Sequence, residues 1–217
     1  MLNKSKHQFI MTNILKDIYS VPELAAVLGF KGGTCAYFFY NLPRFSVDLD
    51  FDLISNEAVP EDIKKRIEKI LLKHGEIKDM FVKQNTIFFL LSYGKEDHNI
   101  KVEISYRTLP YDLTKKFELK EYLGISMLVG KPEYMFAGKL CALLGRSDFA
   151  MRDMFDLNFF VSQNWKIDDE VVRCWAGESV GKAFEKAIGK IEEIKDSQLL
   201  AGLGELLDDK QKRWVKN

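Results

Sequence analysis

The chain has 217 residues, 47% of them apolar, enough to bury a sizeable core as one large domain or two small ones. Lys plus Arg and Asp plus Glu balance at 32 each, which excludes a protein that coats polyanions through bulk charge and leaves only local patches for nucleic-acid contact. Cys35, Cys141 and Cys174 lie far apart without CxxC or Cys/His spacing, which argues against a disulfide frame or a structural zinc and for a reduced, cytoplasmic setting. The start, MLNKSKHQFIMTNILKDIY, is charged throughout, and no stretch reaches the apolar length of a membrane span, so a soluble, unsecreted protein is expected.

In chain order, apolar spacings predict short helices over 6–19 and 22–28, separated by Ser20 and Pro22. GFKGGT reads as a turn leading from a short apolar approach into a helix, with Thr34 as N-cap of CAYFFYNL and Pro43 as its stop. VDLDFDLI alternates: Val47, Leu49, Phe51 and Leu53 fall on one face of a strand, Asp48, Asp50 and Asp52 on the other. Residues 60–74 have Pro in the first turn, acids early, bases late and helical apolar spacing, the pattern of an amphipathic helix. EIKDMFVKQ, TIFFLLSY and NIKVEISYRT read as strands, the second so continuously apolar that a central place in the sheet is expected. YLGISMLVG, after a charged loop, reads as a fourth. Beyond Lys131-Pro132 helical patterns take over: PEYMFAGKLCALLGR, FAMRDMFDLNFFVSQ, DDEVVRCWAGESVGKAFEKAIGKIEEI and a basic tail. The expected fold is α+β, a mixed sheet with flanking helices over 1–130 followed by a helical half over 131–217 packed on it.

Residues two apart on a strand project side by side, about 7 Å apart along the backbone. Carboxylates so placed repel, and they need solvent, basic partners or a divalent cation. Upstream, Gly32-Gly33 ahead of Thr34 and a helix lets backbone N–H groups approach an anion, where the helix N-terminus adds positive potential. Together they make a phosphate cradle beside a seat for Mg²⁺, which prefers carboxylates plus phosphate oxygens. Glu103 in IKVEISY could complete a two-metal arrangement; alone it reads as an outward-facing acid.

Glycine-glycine, a helix, Asp-hydrophobic-Asp-hydrophobic and a later hydrophobic-acid-hydrophobic resemble the polymerase-β-type nucleotidyltransferase superfamily. More closely, KGGTCAYFFYNLPRFSVDLDF resembles the signature of the AbiEii/AbiGii toxin family, KGGTAL followed by LPR-S-DLDF, with Cys35-Ala36 standing where Ala-Leu is usual. FAGKLCALLGR around Lys139 and RDMFDL with Arg152, Asp153 and Asp156 also match, so the resemblance spans about residues 29–160. It implies a nucleotidyltransferase fold and transfer of an NMP from an NTP to an acceptor hydroxyl, RNA or tRNA in several members. It further implies Mg²⁺ or Mn²⁺ and the toxin of a type IV toxin–antitoxin system, with an antitoxin partner. Carried over by residue, Asp48 and Asp50 would bind metal, Gly33 and Ser46, with Gly32 and Thr34 of the same turn, the nucleotide phosphates, and Glu103 would be the third acid. Lys139 would pair with the triphosphate, and Asp153 would orient that lysine or bind the nucleotide.

Arg44, two residues before Ser46, is expected either at a phosphate or neutralising the acidic strand. Asp52 falls beyond the matched DLDF and is expected to be solvated or supporting. Arg152 and Asp156 are at i, i+4, the spacing of a helix-surface ion pair, with Asp153 turned elsewhere toward Lys139. The histidines carry no functional signal. IKKRIEKILLK and DDKQKRWVK, the latter with Trp214 able to stack, are the candidate RNA contacts. The competing reading is a nucleotidyltransferase-like domain that binds nucleotide, RNA or a partner protein without turnover; retention of both expensive aspartates counts against it.

Overall fold

The structure, a computed structural model, describes residues 2–94, 98–146 and 150–215, leaving out the Trp214 side chain expected to stack and Lys216 of the basic tail. The chain divides into two units, Met1–Asn41 with Phe45–Gly130 and Leu42–Arg44 with Lys131–Asn217. No helix among the described residues is long and apolar enough to cross a membrane.

The first unit contains α1 (Lys4–Tyr19), α2 (Pro22–Ala25), β1 (Leu28–Lys31), α3 (Gly32–Phe39), β2 (Leu49–Leu53), α4 (Pro60–Leu71), β3 (Glu76–Lys83), β4 (Thr86–Ser92), β5 (Ile100–Ser105), β6 (Phe117–Tyr122) and β7 (Ile125–Gly130). Its seven strands form one mixed sheet in the order β3-β4-β5-β2-β1-β7-β6. β1 runs antiparallel to β2 and parallel to β7, and β2 runs parallel to β5. One face is apolar and closed: Leu28, Phe30, Leu49, Phe51, Ile87, Phe89, Val102 and Ile104 are all fully buried. Tyr19 of α1 packs its ring 6.5 Å from that of Phe51, and α4 packs against β4. Burial of each large side chain there contributes about 1.5–3 kcal/mol. The opposite face carries Lys31, Asp50, Asp52 and Glu103 at the register positions between these apolar residues.

The α+β expectation holds, with local differences. The short apolar approach at 28–31 is a full strand, β1, too brief for its alternation to be read. β2 rather than β4 occupies the centre; β4 reads as continuously apolar because Phe88 and Leu90, on its half-open face, are apolar too. The charged loop before β7 is the edge strand β6, whose charged side chains suit an unpaired edge. Leu123 (φ 50°) and Gly124 (φ 77°) turn it into β7 with the double positive φ of a type I′ hairpin. α3 starts at Gly32, so Lys31 rather than Thr34 is its N-cap, and it ends at Phe39, ahead of Asn41 in the left-handed region. Gly29 is required by contact: a Cβ there would lie 2.3 Å from the Phe117 ring. Gly29→Ala should therefore cost about 1–3 kcal/mol, read as a lowered urea midpoint.

The second unit is helical: α5 (Pro132–Gly145), α6 (Met151–Ser162), α7 (Asp169–Ala176), α8 (Val180–Glu192) and α9 (Asp209–Val215). The pattern over 168–194 is two helices, because Gly177 takes a left-handed C-cap (φ 69°) and the Ser179 side chain caps α8. α5 packs on α6, α7 and α8. Its Phe136 meets Phe160 and Phe184 edge-on at 5.9 Å, and Phe160 stacks on Trp165 at 4.3 Å.

Candidate active site

The glycine turn and the acidic strand meet at one point. Gly32 has φ +80°, and a Cβ built on it would lie 2.3 Å from a carboxylate oxygen of Asp50. The Asp50 carboxylate thus rests against the first residue of α3, where unpaired backbone N–H groups gather. Only glycine meets both demands, the positive φ and the close approach. Gly32→Ala should cost about 1–3 kcal/mol in stability and displace Asp50, lowering transfer more than stability alone explains; comparing activity with urea unfolding separates the two.

Thr34 lies buried in the first turn of α3 and ties the helix to the segment entering β2. Its hydroxyl donates to the Asp48 carbonyl, which can only accept, and the Ser46 hydroxyl, 3.0 Å from Thr34 Oγ1, is left to donate to it. Ser46 is buried as well. Asp48 is half-buried and precedes β2 rather than lying within it. The same segment is held from its other side by His7, a residue without signal in the sequence. His7 is fully buried, with Nε2 2.9 Å from the Val47 carbonyl and Nδ1 2.6 Å from the Tyr93 hydroxyl. The carbonyl requires the proton on Nε2; in the neutral ring Nδ1 then accepts from Tyr93.

The three aspartates separate in this setting. Asp52, expected to be solvated or supporting, is buried and accepts from Lys31 Nζ at 2.6 Å. Asp50 is in register with Glu103 on the neighbouring parallel strand, so both project from the same face, and Glu103 is exposed. Among the described residues no three His, Cys, Asp or Glu side chains stand close enough together to hold a metal ion. The three-carboxylate arrangement expected of Asp48, Asp50 and Glu103 is thus not preassembled.

The second unit holds a separate buried cluster. Arg44, expected at a phosphate or at the acidic strand, is 3% exposed and grips Asp156 with two bonds, Nε to Oδ1 at 2.6 Å and the terminal nitrogen to Oδ2 at 2.7 Å. Asp156, expected in a surface pair with Arg152, is fully buried and lies 3.1 Å from Lys139 Nζ. Lys139 also donates to Asp153 Oδ1 at 2.9 Å, and Arg146 reaches the other oxygen of Asp153 at 2.6 Å. Asp153 and Asp156 are three apart on α6 and share a face, a spacing that could have revealed the pair. Burial works against the charge on Lys139, but Asp156 and Asp153 outweigh it and raise its pKa above the usual lysine value. Burial likewise pushes the Asp156 carboxyl up, and Lys139 and Arg44 overcome it, leaving the pKa below the ordinary range.

No curated protein matches the chain. Among solved structures, a Helicobacter pylori protein assigned as a nucleotidyltransferase is similar at 21% identity, with a TM-score of 0.59 over 97% of this chain and 90% of that one. JHP933 of Helicobacter pylori is similar at 23% identity and TM-score 0.57, over 100% of this chain and 90% of that one. An antigenic nucleotidyltransferase-like protein of Paracoccidioides brasiliensis is similar at 10% identity and TM-score 0.52, over 90% and 93%. These likenesses establish the nucleotidyltransferase fold. Residues 13–215 match the model of the nucleotidyl transferase AbiEii toxin of type IV toxin–antitoxin systems, and the chain belongs to that family.

Proposed function

We propose that this nucleotidyltransferase moves an NMP from an NTP to a hydroxyl of RNA, tRNA foremost, with Mg²⁺ or Mn²⁺ as cofactor, in the cytoplasm and under the control of an antitoxin. Residues 1–130 serve as the catalytic core in this reading and 131–217 as its helical half. The observation that carries it is the Asp50 carboxylate resting against Gly32 at the head of α3. A carboxylate beside anion-binding N–H groups suits a triphosphate when a cation joins the two. The residues fit such a cation: Asp48 and Asp50 offer hard oxygens, and Mg²⁺ commonly takes only one or two carboxylates, with phosphate oxygens and water completing its shell. Glu103 is available as a third acid. When bound, the cation supplies charge neutralisation on the triphosphate and polarisation at the α-phosphorus.

The chain's own residues supply the rest. The N–H groups of Gly32, Gly33 and Thr34 bind phosphate oxygens, and the bonds of the Thr34 hydroxyl to the Asp48 carbonyl and to Ser46 keep that turn and Asp48 in fixed relation. Glu103 or one of the aspartates accepts the proton of the acceptor hydroxyl, whose oxygen bonds to the α-phosphorus as the bond to pyrophosphate breaks. Asp153 and Asp156 keep Lys139 charged, Arg44 positions Asp156, and in this reading Lys139 neutralises charge on the triphosphate. Lys139→Ala should raise the KM for NTP about tenfold or more, measured at saturating acceptor. The whole reading is tested by incubating the protein with each [α-³²P]NTP, total RNA and Mg²⁺: label in RNA supports it. Label in protein alone, or none in any fraction, overturns it.

A further inference from the structure

On the sheet face that carries Asp50, one registered row crosses five strands: Phe81 on β3, Phe88 on β4, Glu103 on β5, Asp50 on β2 and Lys31 on β1. Residues in register point to the same face. The Phe81 and Phe88 rings are stacked, with centroids 4.5 Å apart and planes 14° from parallel. Phe81 is 43% exposed, whereas Ile87 and Phe89, which point the other way from β4, are fully buried. The fold thus leaves the Phe81 ring open, with the half-buried Phe88 ring stacked against it, in the same row as two carboxylates of the candidate site.

We infer that the Phe81–Phe88 pair is a stacking platform for a base of the RNA acceptor, seating the strand whose hydroxyl reacts; this rests on the reading that RNA is the acceptor. Strand order carries the inference. The head of α3 follows β1 at one end of the row, the carboxylates occupy β2 and β5, and the aromatic pair occupies β4 and β3 at the other end. With about 4.8 Å between neighbouring strands, Phe88 lies about 10 Å and Phe81 about 14 Å from Asp50. In-line transfer needs the leaving phosphates and the attacking hydroxyl on opposite sides of the α-phosphorus. With the triphosphate at the head of α3, the acceptor arrives from the β4 side and passes Glu103, a candidate base, on the way to Asp50. Lys83 and Lys101 are exposed on this same face, Lys83 two residues from Phe81 along β3 and Lys101 two residues from Glu103 along β5, able to draw a phosphate backbone, while Asp79, equally exposed, lies two residues from Phe81 on its other side in the row of Lys101. Every base offers a π-face, so stacking seats a strand without demanding its sequence.

The full chain is assayed with a single-stranded oligoribonucleotide bearing a 3′-hydroxyl, by KM for the oligonucleotide and for NTP and by fluorescence anisotropy without NTP. Phe81→Ala and Phe88→Ala should each weaken oligonucleotide binding and raise its KM about 5- to 150-fold, with the KM for NTP unchanged. Phe81→Trp should restore both values; Phe81→Leu, apolar but unable to stack, should not. Wild-type KM for the oligonucleotide in both alanine variants, or in Phe81→Leu, overturns the platform while leaving the RNA reading in place, and it is the result expected if a protein covers this face. A raised KM for NTP alone places the nucleotide's own base there and overturns it too. If the wild-type protein labels no RNA, both the reading and the platform fall.

Discussion

Asp50→Asn should lower NMP transfer by at least about 10³-fold while leaving the urea midpoint close to that of the wild type. The substitution keeps shape and removes one charge, so what it tests is the carboxylate. Loss of several kcal/mol of transition-state charge stabilisation corresponds to this factor at 1.36 kcal/mol per tenfold. Asp50 is the sharpest position because its oxygen rests against Gly32, where no other residue allows that approach. Asp48→Asn should lose activity on the same scale. Asp52→Asn is the internal control: its carboxylate is buried and paired with Lys31, so its removal should lower stability more than transfer measured on the folded fraction. Equal transfer by Asp50→Asn and wild type would remove Asp50 from the site.

Asp156→Ala should destabilise the protein by about 3–5 kcal/mol, the cost of leaving buried cations without their counter-charge. Arg44 would lose both of its bonds to this carboxylate, and Lys139 would retain only Asp153 of the two. Urea unfolding at neutral pH measures the loss; a change within 1 kcal/mol would show that the pair is not buried as described. The sign with pH follows from the direction of each shift. The Asp156 pKa is lowered on folding, so its contribution is complete above the unfolded carboxylate value of about 3.9 and is lost as pH falls through the lower folded value. The Lys139 pKa is raised, so its contribution is complete below the unfolded lysine value of about 10.4 and is lost as pH rises through the higher folded value. The cluster therefore stabilises across the range between, and Asp156→Asn should flatten the acid limb of the stability curve.

Much of the fold and of the first half of the candidate site is local chemistry and could be read from order along the chain. Alternation over 47–54 identifies the acidic strand, the glycine pair marks a close approach at a helix head, and helical spacing marks the long helices after Pro132, because each signal lies within a few residues of the feature it reports. The elements that differ are those whose local signal is weak or ambiguous: β1 is four residues long, β6 is charged, and the apolar half-open face of β4 mimics a strand at the centre of the sheet. Parity assigned the three aspartates one face, and only the resemblance, whose DLDF ends before Asp52, set Asp52 apart from Asp48 and Asp50. Only the tertiary structure gives Asp50 to Gly32, Asp52 to Lys31 and the Asp48 carbonyl to Thr34. Arg44 and Asp156 are 112 residues apart, and His7 and Tyr93 are 86 apart, so neither pair leaves a periodic trace in the sequence. The sequence by itself determined which chemistry is present, carboxylates, glycines and a helix head in a set order. The tertiary structure decided which charges face which partners, because burial and pairing at that range depend on where distant strands and helices meet.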